Sequence, residues 1–372
     1  MKLLTDDITD TFHLAVIGGG RWGRTHIRVI NDLPDKNIHI SWITQHNAVD
    51  NQKWCDDNNL NAITIINKLP ENHIDGVIIA TKSSTHAEIL KVILNMKIPV
   101  LCEKPFCMDY DQGIEIVTLS NRNQTPAAMN IEFIHASYLD DLKSSVKTDD
   151  IRSIEIEWLD PLVETQNGVT KTSDVHTPIA FDHAVHCWSL LYKILGQTEF
   201  DVISVKYNLD GLIAVEAKSN SINIHIKISR HYTQRARKVV INQNTLLDFS
   251  AEPGFIQTNG KTIKNKWKYP KPMISAISGF IKTIKDNSIN LPESIQNTLP
   301  AIAFCSLINK KLNIEMDKNF KQLPVMPNKE KEIFLMNYYA HKLADKKIYL
   351  PITTKKDRNN FIEYLKENNY IS

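Results

Sequence analysis

Three groups of residues in this sequence have types and spacing that suit chemistry. Gly18-Gly19-Gly20-Arg21-Trp22-Gly23 fits G-x-G-x-x-G directly after the apolar run Leu14 to Ile17 and at the opening of a helical pattern. In that context Gly18 permits a tight turn, Gly20 lets a dinucleotide pyrophosphate approach the backbone, and Gly23 allows close helix–strand packing, while the helix N-terminus supplies free N–H groups and positive dipole. Lys104, in Glu103-Lys104-Pro105, follows the apolar run Val100 to Cys102, so its ammonium sits where ligands bind in open α/β sheets, on a backbone that Pro105 stiffens. Asp182 and His186 fall at i and i+4 on a helix expected over Pro178 to Leu195, which places a carboxylate and an imidazole on one face. An imidazole takes and returns a proton near neutral pH. His183, about 100° away around that helix, is expected to be structural.

The elements that must hold these groups have two textures. Leu14 to Ile17, Ile38 to Ile43, Val77 to Ala80 and Val100 to Cys102 are short continuous apolar runs, the pattern of buried parallel strands. Helical stretches at Trp22 to Leu33 and Thr85 to Met96 separate them, which predicts a doubly wound Rossmann domain over residues 1–130. Beyond it, alternating runs at Ile151 to Trp158, Val202 to Tyr207, Leu212 to Ala217, Ile222 to Ile228 and Lys238 to Ile241 predict a large, mainly antiparallel open sheet over residues 131–325. Helices at Met273 to Ile284 and Ser294 to Leu312 are expected to close that second, α+β domain, covering one sheet face. The Lys-rich segment 326–372 reads as a helical extension.

The second strand should end near an acidic residue if the ribose hydroxyls are to be held by a carboxylate. It ends instead in Thr44-Gln45-His46, with Asp50 expected past the strand tip. With no carboxylate to repel a 2′-phosphate, and Arg21 and His46 as partners for one, the reading favours NADP over NAD, though this neutral turn accommodates NAD as well.

Ile74 to Thr81, then Ser84-Thr85-His86 opening a helix, then Glu103-Lys104-Pro105 and the later Asp182-x-x-x-His186, together resemble the Gfo/Idh/MocA oxidoreductases over residues 12 to about 320. The resemblance implies that Lys104 hydrogen-bonds the reacting oxygen beside the nicotinamide, that Glu103 supports the site, that the Lys104–Pro105 peptide is cis, and that Thr81 and His86 line the cofactor groove with the glycine loop, Arg21 and Trp22. It makes Lys104, Asp182 and His186 the catalytic group, with His186 as general base and Asp182 orienting substrate or His186. The implied reaction moves a hydride between nicotinamide and a hydroxyl or carbonyl carbon of a sugar, cyclitol or nucleotide-sugar. Relatives that cleave glycosides by transient oxidation, or that serve as non-catalytic dinucleotide sensors, give the competing readings; the retained Lys104, Asp182 and His186 speak against the sensor. Two departures mark the substrate side. The segment Val175 to Phe181 lacks the glycines common before this helix, and Ile131-Glu132-Phe133 stands where an arginine is common. Lys171, Asp174, His176 and Glu132 are candidate substrate contacts, and Arg230, His231, Tyr232, Arg235 and Arg237 are read as a charged sheet edge that could also meet an anion.

Composition narrows the class further. Of 372 residues, 42% are hydrophobic and 23% charged, and no apolar run reaches the roughly 18 residues that span a bilayer. The 44 basic and 42 acidic residues leave a net charge of only +2, so a nucleic-acid or membrane partner is not expected. The start turns acidic before an apolar leader develops, which makes the cytoplasm the expected address. The five cysteines are scattered without metal-ligand spacing and are expected to be reduced packing residues, with no metal bound. An open sheet with one uncovered face points to a homodimer or homotetramer through that face.

Overall fold

The computed structural model describes residues 11–60, 63–70, 73–166, 169–172, 177–288, 291–322, 325–326, 330–331, 333–338, 360, 363 and 367. Two compact units divide the chain: Met1–His135 with Tyr269–Leu299, and Ala136–Lys268 with Pro300–Ser372.

In the first unit, β1 (Phe12–Ile17), β2 (Ile38–Ile43), β3 (Ile63–Ile66), β4 (Gly76–Ile79), β5 (Val100–Glu103) and β6 (Ala127–Asn130) form one sheet in the order β3-β2-β1-β4-β5-β6. Every pairing is parallel. The crossovers contain α1 (Arg21–Asn31), α2 (Ala48–Asp57), α3 (Ser83–Asn95) and α4 (Tyr110–Asn123). All four residues of β4 and of β5 are buried, the condition that a continuous apolar run anticipates when both sheet faces are covered. The strand order reverses between β1 and β4, which opens a crevice beyond their carboxyl ends where Gly18 and Thr81 begin their loops.

The second unit begins with α5 (Ser137–Ser144) and β7 (Ser153–Leu159), followed by the hairpin β8 (Val163–Gln166) and β9 (Val169–Thr172), a π turn at Ala180–Ala184, and α6 (Val185–Leu195). Its large sheet adds β10 (Asp201–Tyr207), β11 (Ile213–Ser219), β12 (Ile222–Ser229), β13 (Ala236–Ile241), β14 (Thr245–Asp248), β15 (Phe255–Thr258) and β16 (Lys261–Lys264). The order is β10-β11-β12-β7-β13-β14-β15-β16, antiparallel except where β12 runs parallel to β7. In β12, Ile222, Ile224, Ile226 and Ile228 are buried while Asn223, His225 and Lys227 are exposed, so period two separates a packed face from a wet one. Phe304 of α8 (Ile295–Phe320) meets Phe200 edge-on at 5.9 Å on the packed side.

The expected division into continuous ranges needs one correction. The helix α7 (Pro272–Lys285), assigned from sequence to the second domain, belongs to the first unit, where Met273, Ile277, Phe280 and Ile281 join a core with Phe12, Leu14 and Ile30. Gly76 makes this possible: a Cβ there would stand 2.7 Å from Ile284 Cδ1 and 3.3 Å from the Phe280 ring. Most of the C-terminal extension lies outside the described residues, but Phe334 is fully buried 5.5 Å from the Tyr207 ring, and Asn337 donates to the Tyr207 hydroxyl at 3.1 Å. This part of the extension thus packs on its own chain. All five cysteines are buried free thiols, and burial pushes those of Cys107 and Cys187 up to about 12, so they act as packing residues.

Candidate active site

The glycine loop is built by contact with the strands beside it. Gly18 has φ +132° and a Cβ there would lie 2.3 Å from the Ala80 carbonyl oxygen; a Cβ on Gly23 would lie 2.0 Å from the Gly18 oxygen. At Gly20 a Cβ would meet nothing within 4 Å, and Gly20 is the N-cap of α1, with no side chain capping it and no acid in the first turn. This leaves an open, exposed cradle of helix N-terminal N–H groups suited to a pyrophosphate. Two residues that sequence reasoning missed fix the loop from behind. Trp42 of β2 donates its indole N–H to the Gly18 oxygen at 2.8 Å, and fully buried Asn51 of α2 donates to the Gly19 oxygen at 3.3 Å while accepting from Arg24 at 2.8 Å. Neither lies within the motif, and only their positions after β1 folds reveal them.

At the end of β2, Thr44 is buried and its hydroxyl donates to the His46 carbonyl, which closes the turn; His46 itself is exposed. Asp50 lies beyond the strand tip in the first turn of α2. Arg21 and Trp22 stand exposed at the start of α1, with the guanidinium 5.3 Å above the indole.

The Lys104–Pro105 peptide is cis. Behind Lys104, Glu103 is 5% exposed and its Oε1 accepts from Asn130 at 2.8 Å and meets His26 Nε2 at 2.8 Å. Burial alone would raise the Glu103 carboxyl, but the His26 and Asn130 hydrogen bonds and the nearby Lys104 charge outweigh it and hold it below the ordinary value. Glu103 is therefore ionised and anchored beside the lysine. His86, expected to line the cofactor groove, contacts the Lys104–Pro105 turn. It is 1% exposed, with Nδ1 2.8 Å from the Pro105 oxygen and Nε2 3.2 Å from the Thr81 oxygen, so it pins the Lys104–Pro105 turn to the end of β4. Burial lowers its pKa, against the two carbonyls. Thr81, half-buried, shares a hydrogen bond with Thr85 at 2.8 Å. Glu132, in the 3-10 turn Glu132–His135, is half-buried.

In the second unit, the expected continuous helix from Pro178 instead opens with the π turn Ala180–Ala184 before α6. A π turn closes i→i+5, so Asp182 and His186 are not related by simple α-helical spacing. The His186 ring stacks on Trp158 of β7, centroids 4.5 Å apart and planes 13° apart. Arg237 lies 3.9 Å above the same indole. His183 is 3% exposed, with Nε2 3.3 Å from Asp160 and 3.4 Å from Asp182, and burial takes its pKa down to about 4, so it is neutral at pH 7. Arg230 and Arg237, read from sequence as part of a sheet edge, are each only 2% exposed. The reason is that β13 is an interior strand between β7 and β14, so Arg237 points into the packed layer, where it pairs with Asp160 at 2.5 Å. Arg230 donates to the Thr177 oxygen at 2.8 Å. Asp174, His176 and the side chain of Lys171 lie outside the described residues, although Lys171 is in β9.

Residues 12–131 match the Gfo/Idh/MocA model, described as an oxidoreductase family with an NAD-binding Rossmann fold. An uncharacterized oxidoreductase of Bacillus subtilis, YrbE, is 23% identical over 173 residues, 44% of this chain and 50% of that protein. The inositol 2-dehydrogenase of Corynebacterium glutamicum is 29% identical over 121 residues, 32% of this chain and 36% of that enzyme. The matches thus span half or less of these relatives' length. Across whole chains the fold is shared with the UDP-N-acetylglucosamine 3-dehydrogenase GnnA of Acidithiobacillus ferrooxidans, at TM-score 0.63 and 16% identity over 81% of this chain and 97% of that one. It is also shared with the 3-ketoreductase KijD10 of Actinomadura kijaniata, solved with TDP-benzene and NADP, at TM-score 0.67 and 11% identity over 81% of this chain and 98% of that one. No helix among the described residues is long and apolar enough to cross a membrane.

Proposed function

We propose that this protein, whose residues 12–131 match the Gfo/Idh/MocA model, is an NAD(P)-dependent dehydrogenase or reductase acting on a CH–OH carbon of a sugar, cyclitol or nucleotide-sugar. The observation that supports it most is the pairing, in one unit, of the open Gly20 cradle with Lys104 on an anchored cis turn. Gly18, Gly20, Arg21, Trp22 and Gly23 hold the dinucleotide, with Thr44, His46 and Thr81 flanking it. Bound there, the nicotinamide supplies the hydride acceptor or donor. Lys104 donates to the substrate oxygen and stabilises negative charge as the hydroxyl proton leaves. His186 takes that proton, and Asp182 orients substrate or the imidazole. Stacking on Trp158 fixes the ring plane of His186, so little reorganisation is left for the proton transfer.

NADP is the favoured cofactor. The end of β2 offers a buried Thr44 and an exposed His46, with Arg21 exposed on α1 and no carboxylate at the strand tip to repel a 2′-phosphate. KijD10 was solved with NADP. Incubating the protein with NAD⁺ or NADP⁺ and a panel of myo-inositol, UDP-N-acetylglucosamine and TDP-sugars, while reading the reduced-nicotinamide absorbance, tests both choices. Growth of the band with one panel member, faster with NADP⁺, is expected; a flat trace in every combination and in the reverse direction would defeat the proposal.

The outward face of the eight-stranded sheet carries Glu155, Glu157, Lys227 and Lys238, with Lys227 3.4 Å from Glu157. A homodimer or homotetramer through this face joins mixed charges, so it should weaken at high salt. Light scattering at low and high ionic strength reads this, and a monomer at every salt concentration excludes it.

A further inference from the structure

The second unit contains a chain of buried polar groups that the reaction itself does not require. Asp160, at the end of β7, faces Arg237 of β13: the guanidinium donates to both carboxylate oxygens at 2.5 and 2.6 Å, and its other nitrogen donates to the Leu159 oxygen at 3.0 Å. Asp160 Oδ2, one of the two oxygens that accept from Arg237, also lies 3.3 Å from His183 Nε2, and that nitrogen is 3.4 Å from Asp182 Oδ2. A buried ion pair of this kind is weak support for stability, because desolvation offsets much of the attraction. Its position is more informative than its strength. It ends, through one histidine, on the carboxylate assigned to substrate.

We propose that Arg237, Asp160 and His183 form a positioning relay in which the Nε2–H of a neutral His183, set at ion-pair distance between Asp160 and Asp182, holds the Asp182 carboxylate in place. The relay rests on the reading of Asp182 as part of the substrate site. Three observations lead to it. Among the described residues, His183 Nδ1 is buried with no hydrogen-bond partner, which leaves Nε2 as the protonated nitrogen. Among the described residues, the charged groups that face the ring are Asp182 from the π turn, Asp160 at the end of β7, Arg230 after β12 and Arg237 from β13. The same Arg237 packs on Trp158, on which His186 stacks, so one side chain touches both the ring that holds His186 and the carboxylate that faces His183.

The test uses the full chain without ligand. Nitrogen-15 spectra of His183 in the wild-type protein should show a bare Nδ1 and a protonated Nε2 throughout pH 5 to 8; an imidazolium or the opposite tautomer in that range overturns the relay. The carboxyl carbon resonance of Asp182 should move in His183→Leu and return in His183→Gln, whose amide can restore an N–H donor. An unmoved resonance in a folded His183→Leu protein, or equal displacement in both variants, overturns it as well. If His183→Leu fails to fold, the wild-type tautomer still decides. With whichever of myo-inositol or UDP-N-acetylglucosamine is turned over, kcat should fall by about tenfold or more in His183→Leu with KM within about threefold, and recover in His183→Gln. Turnover of neither compound counts against the dehydrogenase reading, while the two spectroscopic results decide the relay independently.

Discussion

The Trp42 indole N–H donates to the Gly18 carbonyl oxygen at 2.8 Å, and that oxygen lies 2.0 Å from where a Cβ on Gly23 would stand. The two ends of the glycine motif are therefore locked to each other and to β2, while Gly20 between them faces open space. A loop of this design separates the glycines its own backbone contacts require from the one that a bound phosphate would require.

Substitution should expose that separation. Gly23→Ala must displace the Gly18 carbonyl or the helix, and we expect a loss of about 2–4 kcal/mol in unfolding free energy. Gly20→Ala should leave stability within about 0.5 kcal/mol, since a Cβ there meets nothing, yet weaken dinucleotide binding by about tenfold or more, because the methyl occupies the approach of the pyrophosphate. Urea unfolding and calorimetric titration with NADP⁺ read the two quantities separately. Equal loss of stability in both variants would contradict the division of roles.

Glu103 makes a prediction in acid. Its folded pKa lies below the ordinary 4.5, so its contribution to stability is present in full above that value and fades as pH falls through the lower folded pKa. Removing the carboxylate with Glu103→Ala leaves His26 and Asn130 without their shared acceptor and should cost about 2–4 kcal/mol at pH 7. The difference between wild type and variant should shrink below pH 4.5, as followed by urea midpoints at each pH; a difference that stays constant into strong acid would show that the anion is not what matters.

His183 behaves in the same direction from a different starting point. Its folded pKa of about 4 lies below the ordinary 6.5, so the unfolded chain binds a proton that the folded one refuses. The stability this gives is complete above pH 6.5 and is lost as pH falls from there toward 4. His86, also lowered by burial, adds a slope of the same sign. Thermal midpoints of the wild type should therefore decline across this window, and His183→Gln should flatten part of the decline. An unchanged slope in that variant would contradict a neutral buried His183.

Much of the first unit was legible in sequence because its signals are local. The apolar runs at Leu14 to Ile17 and Val100 to Cys102 match β1 and β5, and the glycine spacing fixes a strand–turn–helix joint. What sequence did not reveal depends on contacts between distant segments. Trp42 reads as an ordinary strand residue until β2 lies beside β1, and His86 reads as a groove residue until Pro105 folds against it. Arg237 reads as an edge charge because nothing local tells that β13 lies between β7 and β14. The π turn at Ala180–Ala184 leaves no periodic mark, so nothing in the sequence shows that Asp182 lies in that turn while His186 lies in α6. Likewise the apolar stripe of α7 does not say which core it joins, and the close approach of Ile284 and Phe280 to Gly76 is visible only in the fold.

Direct hydride transfer, with the proposed catalytic roles of Lys104 and His186, is tested most sharply by isotope. The panel compound that reduces the nicotinamide fastest is prepared with deuterium on its ring carbons and incubated with the protein and NADP⁺ or NAD⁺ in ordinary water, and the reduced dinucleotide is weighed by mass spectrometry. We predict a gain of one deuterium at wild-type rate, with Lys104→Met and His186→Ala slowing the transfer by about 10²–10⁴ while still binding dinucleotide within a few-fold of wild type. Reduced dinucleotide without the label, or none from any compound, would contradict the account.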